Sequence, residues 1–179
     1  MGNYSSQALS RVALLQILAK PFRPKSRMSS VSVYRRCGSF FVVTQHGSGG
    51  GEPCIVAGPL EVLPLDVAQA AFGEAILRGL GRTTHNYPYP NTQQEWKQIS
   101  APLLSAAKCK SLSAFAKIAS SLRVDQLDGR VFVQPSVRGQ KYAFYPVTER
   151  NQELQEPAAE QLGSVVAAEL EFASERDDA

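Results

Sequence analysis

The alternation of apolar and polar residues predicts a β-hairpin early in the chain. Residues 31–36 alternate and residues 39–45 form a more apolar run, and both are rich in β-branched and aromatic side chains. Cys37-Gly38 between them favours a two-residue turn, because glycine readily adopts the positive φ that such turns require. Two further short strands are predicted at residues 54–57 and 60–63, after a glycine-rich loop.

After these strands, apolar residues recur every three to four positions, which predicts helices. The first covers residues 67–80, with Asp66 as its N-cap and Gly81 at its end. The second covers residues 92–107, in which Pro102 is expected to start a new turn, since proline has no amide proton to donate.

A third helix is predicted over residues 112–122, with Ser111 as its N-cap. Its apolar residues would share one face of the helix: Leu112, Phe115, Ala116, Ala119 and Leu122.

The second half of the chain again begins with strand and turn signals. Asp128-Gly129 indicates a turn, and strands are predicted at residues 130–134 and 141–145. Pro157 is expected in the first turn of a last helix that ends near Phe172.

A shift of 90 residues aligns the helix at 67–80 with this last helix. The aligned pairs are Ala68 and Ala158, Phe72 and Leu162, Gly73 and Gly163, Ile76 and Val166, and Leu80 and Leu170. Each helix follows a predicted hairpin, at residues 31–45 and 130–147. The pattern predicts a two-layer α+β fold, with helices packed on a mainly antiparallel sheet and a repeated unit of strands followed by a helix.

The length of 179 residues fits one domain, which we place at residues 29–172. Residues 173–179 form a predicted acidic tail. Residues 1–28 form a predicted N-terminal extension, in which a short amphipathic helix at 5–19 precedes a basic linker that contains prolines. The helix would place Ala8, Val12, Leu15 and Ala19 in one row.

The N-terminal extension leaves several interpretations open. Met28 is one possible start of the natural protein, and the absence of acidic residues before Glu52 is also a feature of transit peptides. Gly2 fits a myristoylation pattern, so a lipid-anchored adaptor is one hypothesis for the function. The apolar stretches are far shorter than the roughly 18 residues that span a bilayer, so no membrane-spanning segment is expected.

The charge is unevenly distributed. The net charge of +3 is the sum of +10 over residues 1–148 and −7 over residues 149–179. Five of the basic residues lie in residues 1–27, so the chain from Met28 onward has a charge of −2. The acidic segment is therefore the more informative electrostatic feature.

The residues that usually perform catalysis are sparse. There are two histidines, His46 and His85, and neither lies in a catalytic or metal-binding motif. The three cysteines, Cys37, Cys54 and Cys109, have no zinc-ligand spacing and do not form an even disulfide set. We therefore expect no enzymatic activity, no cofactor, no metal, no small-molecule substrate and a reducing compartment.

The order of segments resembles the immunity proteins of bacterial contact-dependent growth inhibition systems. The resemblance covers residues 29–172 and rests on the segments 39–43, 72–80, 110–117, 131–135 and the Leu162-Gly163 helix. It implies a non-enzymatic cytoplasmic protein that binds and neutralises the C-terminal toxin domain of a cognate secreted effector, often a nuclease. It also implies an α+β domain, and in some members a toxin hairpin added to an open sheet edge.

The candidate partner-binding residues are of two kinds. An acidic patch would attract the basic surface of a nuclease, and exposed aromatic side chains are common anchors in interfaces. The acidic candidates are Glu149, Glu153, Glu156 and Glu160, and the aromatic candidates are Tyr87, Tyr89 and Trp96.

A basic nucleic-acid-binding domain is the alternative from a different functional class. Arg35-Arg36 beside Tyr34 and Phe40 combines charge with aromatic rings, as single-strand binders do. The basic residues are scattered, however, and the acidic last helix opposes phosphate binding, so the sequence disfavours this alternative.

Overall fold

A central antiparallel sheet organises the chain in the computed structural model. The structure describes residues 27–49, 53–139 and 143–177, with side chains up to Ser174. The strands are β1 (Ser29–Arg36), β2 (Ser39–His46), β3 (Ile55–Pro64), β4 (Ser120–Leu127), β5 (Arg130–Arg138), β6 (Phe144–Pro146) and β7 (Gln152–Gln155). The helices are α1 (Gln69–Gly81), α2 (Gln93–Ala106), α3 (Leu112–Ala116) and α4 (Ala159–Asp177), and a 3-10 turn covers Thr148–Arg150.

The sheet contains all seven of these strands in the order β3-β2-β1-β4-β5-β6, and β7 also pairs with β5. Every pairing is antiparallel. The predicted α+β class with a mainly antiparallel sheet is therefore confirmed.

The predicted repeat is present in the strand register. Val33 pairs with Val42 in the first hairpin, and Val124 pairs with Val133 in the second, 91 residues further along. Ser39 pairs with Pro64, and Arg130 pairs with Gln155 at the same offset. The unit of β1, β2, β3 and α1 is thus repeated as β4, β5, β7 and α4, which we call the first and second repeats.

The two hairpin turns follow the same offset. Cys37 and Gly38 have φ values of 46° and 81°, and Asp128 and Gly129 have 51° and 78°. Two successive residues with positive φ define the turn whose twist matches that of the flanking strands. Both turns were predicted from their glycines and are confirmed.

The helices α1 and α4 cross at the two glycines that the shift of 90 residues aligns. A β-carbon on Gly73 would overlap the carbonyl group of Ala159, and one on Gly163 would overlap that of Gln69. The contacts are reciprocal, since residues 69 and 159 are also 90 apart. Glycine at both positions therefore allows the two helix backbones to touch.

One face of the sheet is closed by α1 and α4. The core on this face is apolar throughout and includes Val33, Val42, Leu122, Val124, Phe72 and Leu162. The rings of Phe40 and Phe72 stack with centroids 4.2 Å apart. The burial of these side chains supplies the main hydrophobic stabilisation, by about 1.5–3 kcal/mol for each large residue.

The opposite face carries helices over the first repeat and polar side chains over the centre of the sheet. Over the first repeat, α2 and α3 pack on Phe41 and Val43 through Leu103 and Phe115. These helices therefore add a third layer to the predicted two. Over the centre of the sheet the same face is polar, and Ser30 donates a hydrogen bond to the buried Asp125.

The predicted helix at 112–122 is wrong beyond residue 116. The chain turns at Lys117 and enters β4 at Ser120, so Ala119 and Leu122 pack on opposite faces of the sheet. Apolar residues at positions 115, 119 and 122 fit a helical spacing by coincidence. As a result the second hairpin of the repeat is β4–β5, not the predicted pair at 130–147.

Other element boundaries also differ from the prediction. The strands predicted at 54–57 and 60–63 are one strand, because Pro59 is tolerated on this edge of the sheet. The N-cap of α1 is Ala68, not Asp66. Pro102 lies inside a continuous α2, and α4 extends beyond Phe172 to Asp177. The helix predicted at 5–19 lies outside the described residues.

Candidate partner-binding surfaces

A groove lies between α2, α3 and the first three strands. Its main cavity is about 350 Å³, and an adjoining cavity of about 250 Å³ shares Tyr34, Leu103 and Leu112 with it. The walls are largely apolar and include Val43, Val56, Pro59, Leu60, Ile99, Phe115 and Phe144. We call this the apolar groove.

Tyr34 forms part of the floor of the apolar groove. Its ring contacts Phe115 edge-to-face, with centroids 5.1 Å apart. Burial raises the pKa of the phenol above its ordinary value, and a hydrogen bond with Ser32 lowers the pKa in part. The phenol therefore stays protonated at neutral pH and presents an uncharged surface to the groove.

One of the predicted aromatic residues, Trp96, lines this groove, and a second, Tyr89, contacts Trp96. Tyr89 and Trp96 contact each other edge-to-face at 6.0 Å and are 55% and 42% exposed. Trp96 is held at the start of α2 by a capping box, in which Thr92 and Glu95 bond to each other's backbone amides. Hydrogen bonds from the amides of Asn91 and Thr92 lower the pKa of Glu95, so it stays ionised in this cap.

The third aromatic candidate, Tyr87, packs against the end of β2. Its ring stacks on His46 at 4.8 Å, and its amide donates to the carbonyl of Gly47. The amide of Thr84 donates to Nδ1 of His46, so Nε2 of His46 carries the proton and donates to the carbonyl of Gly58. This histidine therefore joins the end of β2 to the wall of the groove.

The four acidic candidates lie along the opposite edge of the sheet. Glu153 is in β7, Glu149 is in the 3-10 turn before it, and Glu156 and Glu160 follow it. All four are exposed. We call these four residues the acidic edge.

Basic residues near the acidic edge neutralise it only in part. Arg130 lies 3.3 Å from Glu153, and both side chains are about half exposed. Arg150 instead forms a two-point ion pair with the buried Glu169, at 2.9 and 2.7 Å. Because the charge of Arg150 is paired with that of Glu169, it does not neutralise the acidic edge. The acidic edge therefore retains an excess of negative charge.

The predicted acidic and aromatic residues are therefore not one site. Five strand spacings separate β3 from β7, which amounts to about 24 Å at the usual 4.8 Å between strands. Any partner that contacts both groups must reach across the full width of the sheet.

The side chains that could ligate a metal are dispersed among the described residues. Among the described residues, no three His, Cys, Asp or Glu side chains lie close enough together to hold a metal ion. Cys37 and Cys54 are exposed and Cys109 is half-buried, all as free thiols. No helix in the described ranges is long and apolar enough to cross a membrane.

The apolar pattern of the sequence does not identify two of the exposed apolar side chains. Leu112 was expected on a buried helix face, but it lines the groove and is 53% exposed. Ile118, in the turn after α3, is 52% exposed. The helix α3 is little more than one turn long and ends at Ala116, so the longer helix face that was expected to bury Leu112 does not form.

The comparisons with known proteins identify the fold. No protein-family model matches the chain, and no curated protein matches it. A protein of unknown function from Neisseria meningitidis is similar in structure, with a TM-score of 0.67 and 20% identity over 82% of this chain and 95% of that one. A chain of the CdiA-CT/CdiI toxin and immunity complex from Yersinia pseudotuberculosis is also similar, with a TM-score of 0.66 and 13% identity over 82% of this chain and 97% of that one. At these identities the likeness shows that the chain shares their fold.

Proposed function

We propose that this chain is a non-enzymatic immunity protein that binds and neutralises the C-terminal toxin domain of a contact-dependent inhibition effector. The observation that carries the proposal is the similarity of fold to a chain of a toxin and immunity complex, which extends over almost the whole of that chain. Such a protein acts in the cytoplasm, where the toxin arrives.

The arrangement of the described side chains supports a binding role. The polar residues near the centre of the sheet bond to one another, as Arg123 does to Asp125 at 2.7 Å. The exposed features are instead an apolar groove lined in part by Trp96 and an edge rich in carboxylates. Aromatic anchors and charged rims are the usual components of protein interfaces.

The acidic edge favours a partner with a basic surface. A nuclease must present basic side chains to nucleic acid, and carboxylates held on a rigid strand complement such a surface. Opposite charges on the two partners would also increase the rate of association. We therefore propose that the toxin is a nuclease and that its basic surface contacts the acidic edge.

The test is binding and protection with a purified C-terminal toxin domain from an effector encoded beside this gene. The full chain should co-purify with the toxin domain and abolish its nuclease activity at equal stoichiometry. Reversal of charge in a Glu153→Lys, Glu156→Lys and Glu160→Lys variant should slow association by about tenfold at low salt, and the loss should shrink as salt rises.

Asp66→Lys is the matched control. Asp66 is exposed and follows β3 at the other edge of the sheet, so Asp66→Lys makes the same change of charge as Glu153→Lys alone, far from the acidic edge. Equal losses in both variants would overturn the role of the acidic edge. A failure of the unmodified chain to bind or protect, together with salt-sensitive retardation of DNA, would overturn the immunity function in favour of nucleic-acid binding.

A further inference from the structure

The helical layer that walls the apolar groove is basic. Lys97 lies in α2, Lys108 and Lys110 lie between α2 and α3, and Lys117 follows α3. All four are exposed, and none forms an ion pair within the described parts of the chain. The chain has no acidic residue from position 96 to position 124. This layer therefore presents a positive potential to a partner that approaches the groove.

Three of these lysines lie next to the groove. Trp96, Leu112 and Ala116 line it, and a lysine is one or two residues from each of them, at positions 97, 110 and 117. Consecutive Cα atoms are about 3.8 Å apart, and at physiological salt a charge acts over about 8 Å. The three charges therefore act on whatever occupies the groove.

The carboxylates of the elements that form the groove are already bonded. Among the described residues of these elements there are two, Glu95 in α2 and Glu61 in β3. Glu95 accepts hydrogen bonds from the amides of Asn91 and Thr92 at the start of α2. Glu61 is bonded to Arg78 of α1 at 2.7 Å. The described residues therefore leave the lysines of this layer without a counter-charge.

The two cavities of the groove determine the spacing of the apolar side chains that would fill them. They share Tyr34, Leu103 and Leu112, so they adjoin. Residues i and i+4 on one face of a helix have β-carbons about 5–6 Å apart, which allows one side chain to enter each of two adjoining cavities. Such a helix would also cover Trp96 and Leu112, which are half exposed.

We propose that the apolar groove binds an amphipathic helix of a partner protein, with aliphatic residues in the cavities and carboxylates facing the lysines. Charge selects this partner, because a helix with basic flanks would be repelled by the same lysines. The groove therefore differs from the acidic edge, which attracts a basic surface. The proposal does not rest on the immunity function, and each of the two can fail without the other.

The test uses Trp96, the single tryptophan of the chain, to report on the groove. The probes are two helical peptides without tryptophan, both with leucines at i, i+3, i+4 and i+7. One has glutamates and alanines at the remaining positions, and the other has each glutamate replaced by lysine. The glutamate peptide should shift the emission of Trp96 in the full chain to the blue in a saturable manner, and its affinity should fall as salt rises. The lysine peptide should bind this groove at least about tenfold more weakly. Equal shifts with both peptides, or no shift with the glutamate peptide, would overturn the proposal.

Two matched pairs of variants locate the binding. Leu112→Asp should weaken binding of the glutamate peptide by at least about tenfold, whereas Ile118→Asp, equally exposed but not among the residues that line the groove, should change it by no more than about twofold. Lys110→Glu should weaken it by about threefold at low salt, whereas Arg130→Glu, the same change of charge at the start of β5, should not. Urea unfolding of each variant verifies that the domain is folded. Losses of equal size within either pair would overturn the proposal.

The free chain tests the other possible occupants of the groove. Without peptide, the emission should be that of a half-exposed tryptophan at every protein concentration. A blue emission that grows with protein concentration would identify a second copy as the occupant. A blue emission at every concentration would show that the groove is already filled, and either result would overturn the proposal.

Discussion

The two repeats share their strand register but differ in what is attached to it. In the first repeat, α2 and α3 are added after α1 and form the apolar groove. In the second, β6 and a 3-10 turn are inserted before β7 and lead into the acidic edge. The repeated parts build the core, and the parts that are not repeated build the two candidate binding surfaces.

Equivalent positions in the two repeats also carry different chemistry. Position 79 in α1 is a glycine that packs tightly against Val31, and position 169 in α4 is a buried glutamate bonded to Arg150 and Gln152. An identical register therefore does not require identical packing, because the loops around each helix supply different neighbours.

The largest expected effect comes from the feature that the repeats share. Gly73→Ala and Gly163→Ala should each destabilise the protein by about 3 kcal/mol, because the new methyl group forces the backbones of α1 and α4 apart. Urea unfolding measures the loss. The double variant should lose less stability than the two single variants lose together, since both changes widen the same helix crossing.

Gly81→Ala is the control for these two variants. Gly81 is the last residue of α1, and a β-carbon there would meet no neighbour within 4 Å. A Gly73→Ala variant as stable as Gly81→Ala would contradict the account of the crossing.

The second largest expected effect concerns the ion pair between Arg150 and the buried Glu169 in the second repeat. Glu169→Ala should cost about 2 kcal/mol, because it removes a buried carboxylate and leaves Arg150 without its partner. Glu171→Ala, two residues on and with 66% of its side chain exposed, should change the free energy of unfolding by no more than about 0.5 kcal/mol. Similar losses in thermal or urea unfolding for both would show that the burial of Glu169 is not responsible.

The smallest expected effect on stability concerns equivalent positions in the edge strands β3 and β7. Hydrogen bonds and charge from Arg78, with a smaller contribution from Arg82, lower the pKa of Glu61, whereas the equivalent residue in β7 is Gln152. Glu61→Gln should cost about 0.5–1 kcal/mol at pH 7, in the range of partly exposed ion pairs.

The sign of the pH dependence follows from the direction of that pKa shift. A carboxyl group whose pKa is lower in the folded state stabilises the fold above its unfolded pKa, here 4.5, and this contribution is lost as the pH falls through the folded value. The difference between wild type and Glu61→Gln should therefore disappear in acid. A difference that is the same at pH 7 and pH 3 would exclude the ion pair as its source.

The sequence predicted best the elements that depend on local signals. The turns at Cys37-Gly38 and Asp128-Gly129 were correct, because positive φ strongly favours glycine. The alignment of Gly73 with Gly163 was also correct, and the structure gives its reason in the contact between the two helices. The errors arose where an apolar spacing fits two structures, as at residues 115–122.

The candidate surfaces were less predictable because they depend on tertiary contacts. The acidic candidates and Trp96 are exposed, but no local pattern places them at opposite edges of one sheet. The apolar groove combines Tyr34 from β1 with Leu60 from β3 and Leu112 from α3, which are distant in the sequence. Only the order of the strands brings them together.

The pairing of β1 with β4 explains how the fold accommodates α2 and α3. Arg35 pairs with Ser120, so this contact closes a loop of 84 residues that includes both helices. The entropy of loop closure grows only with the logarithm of loop length, and a doubling of the loop costs about 0.6 kcal/mol. An insertion between the repeats therefore adds a new surface at almost no penalty in folding free energy, and this junction is where the architecture is most open to variation.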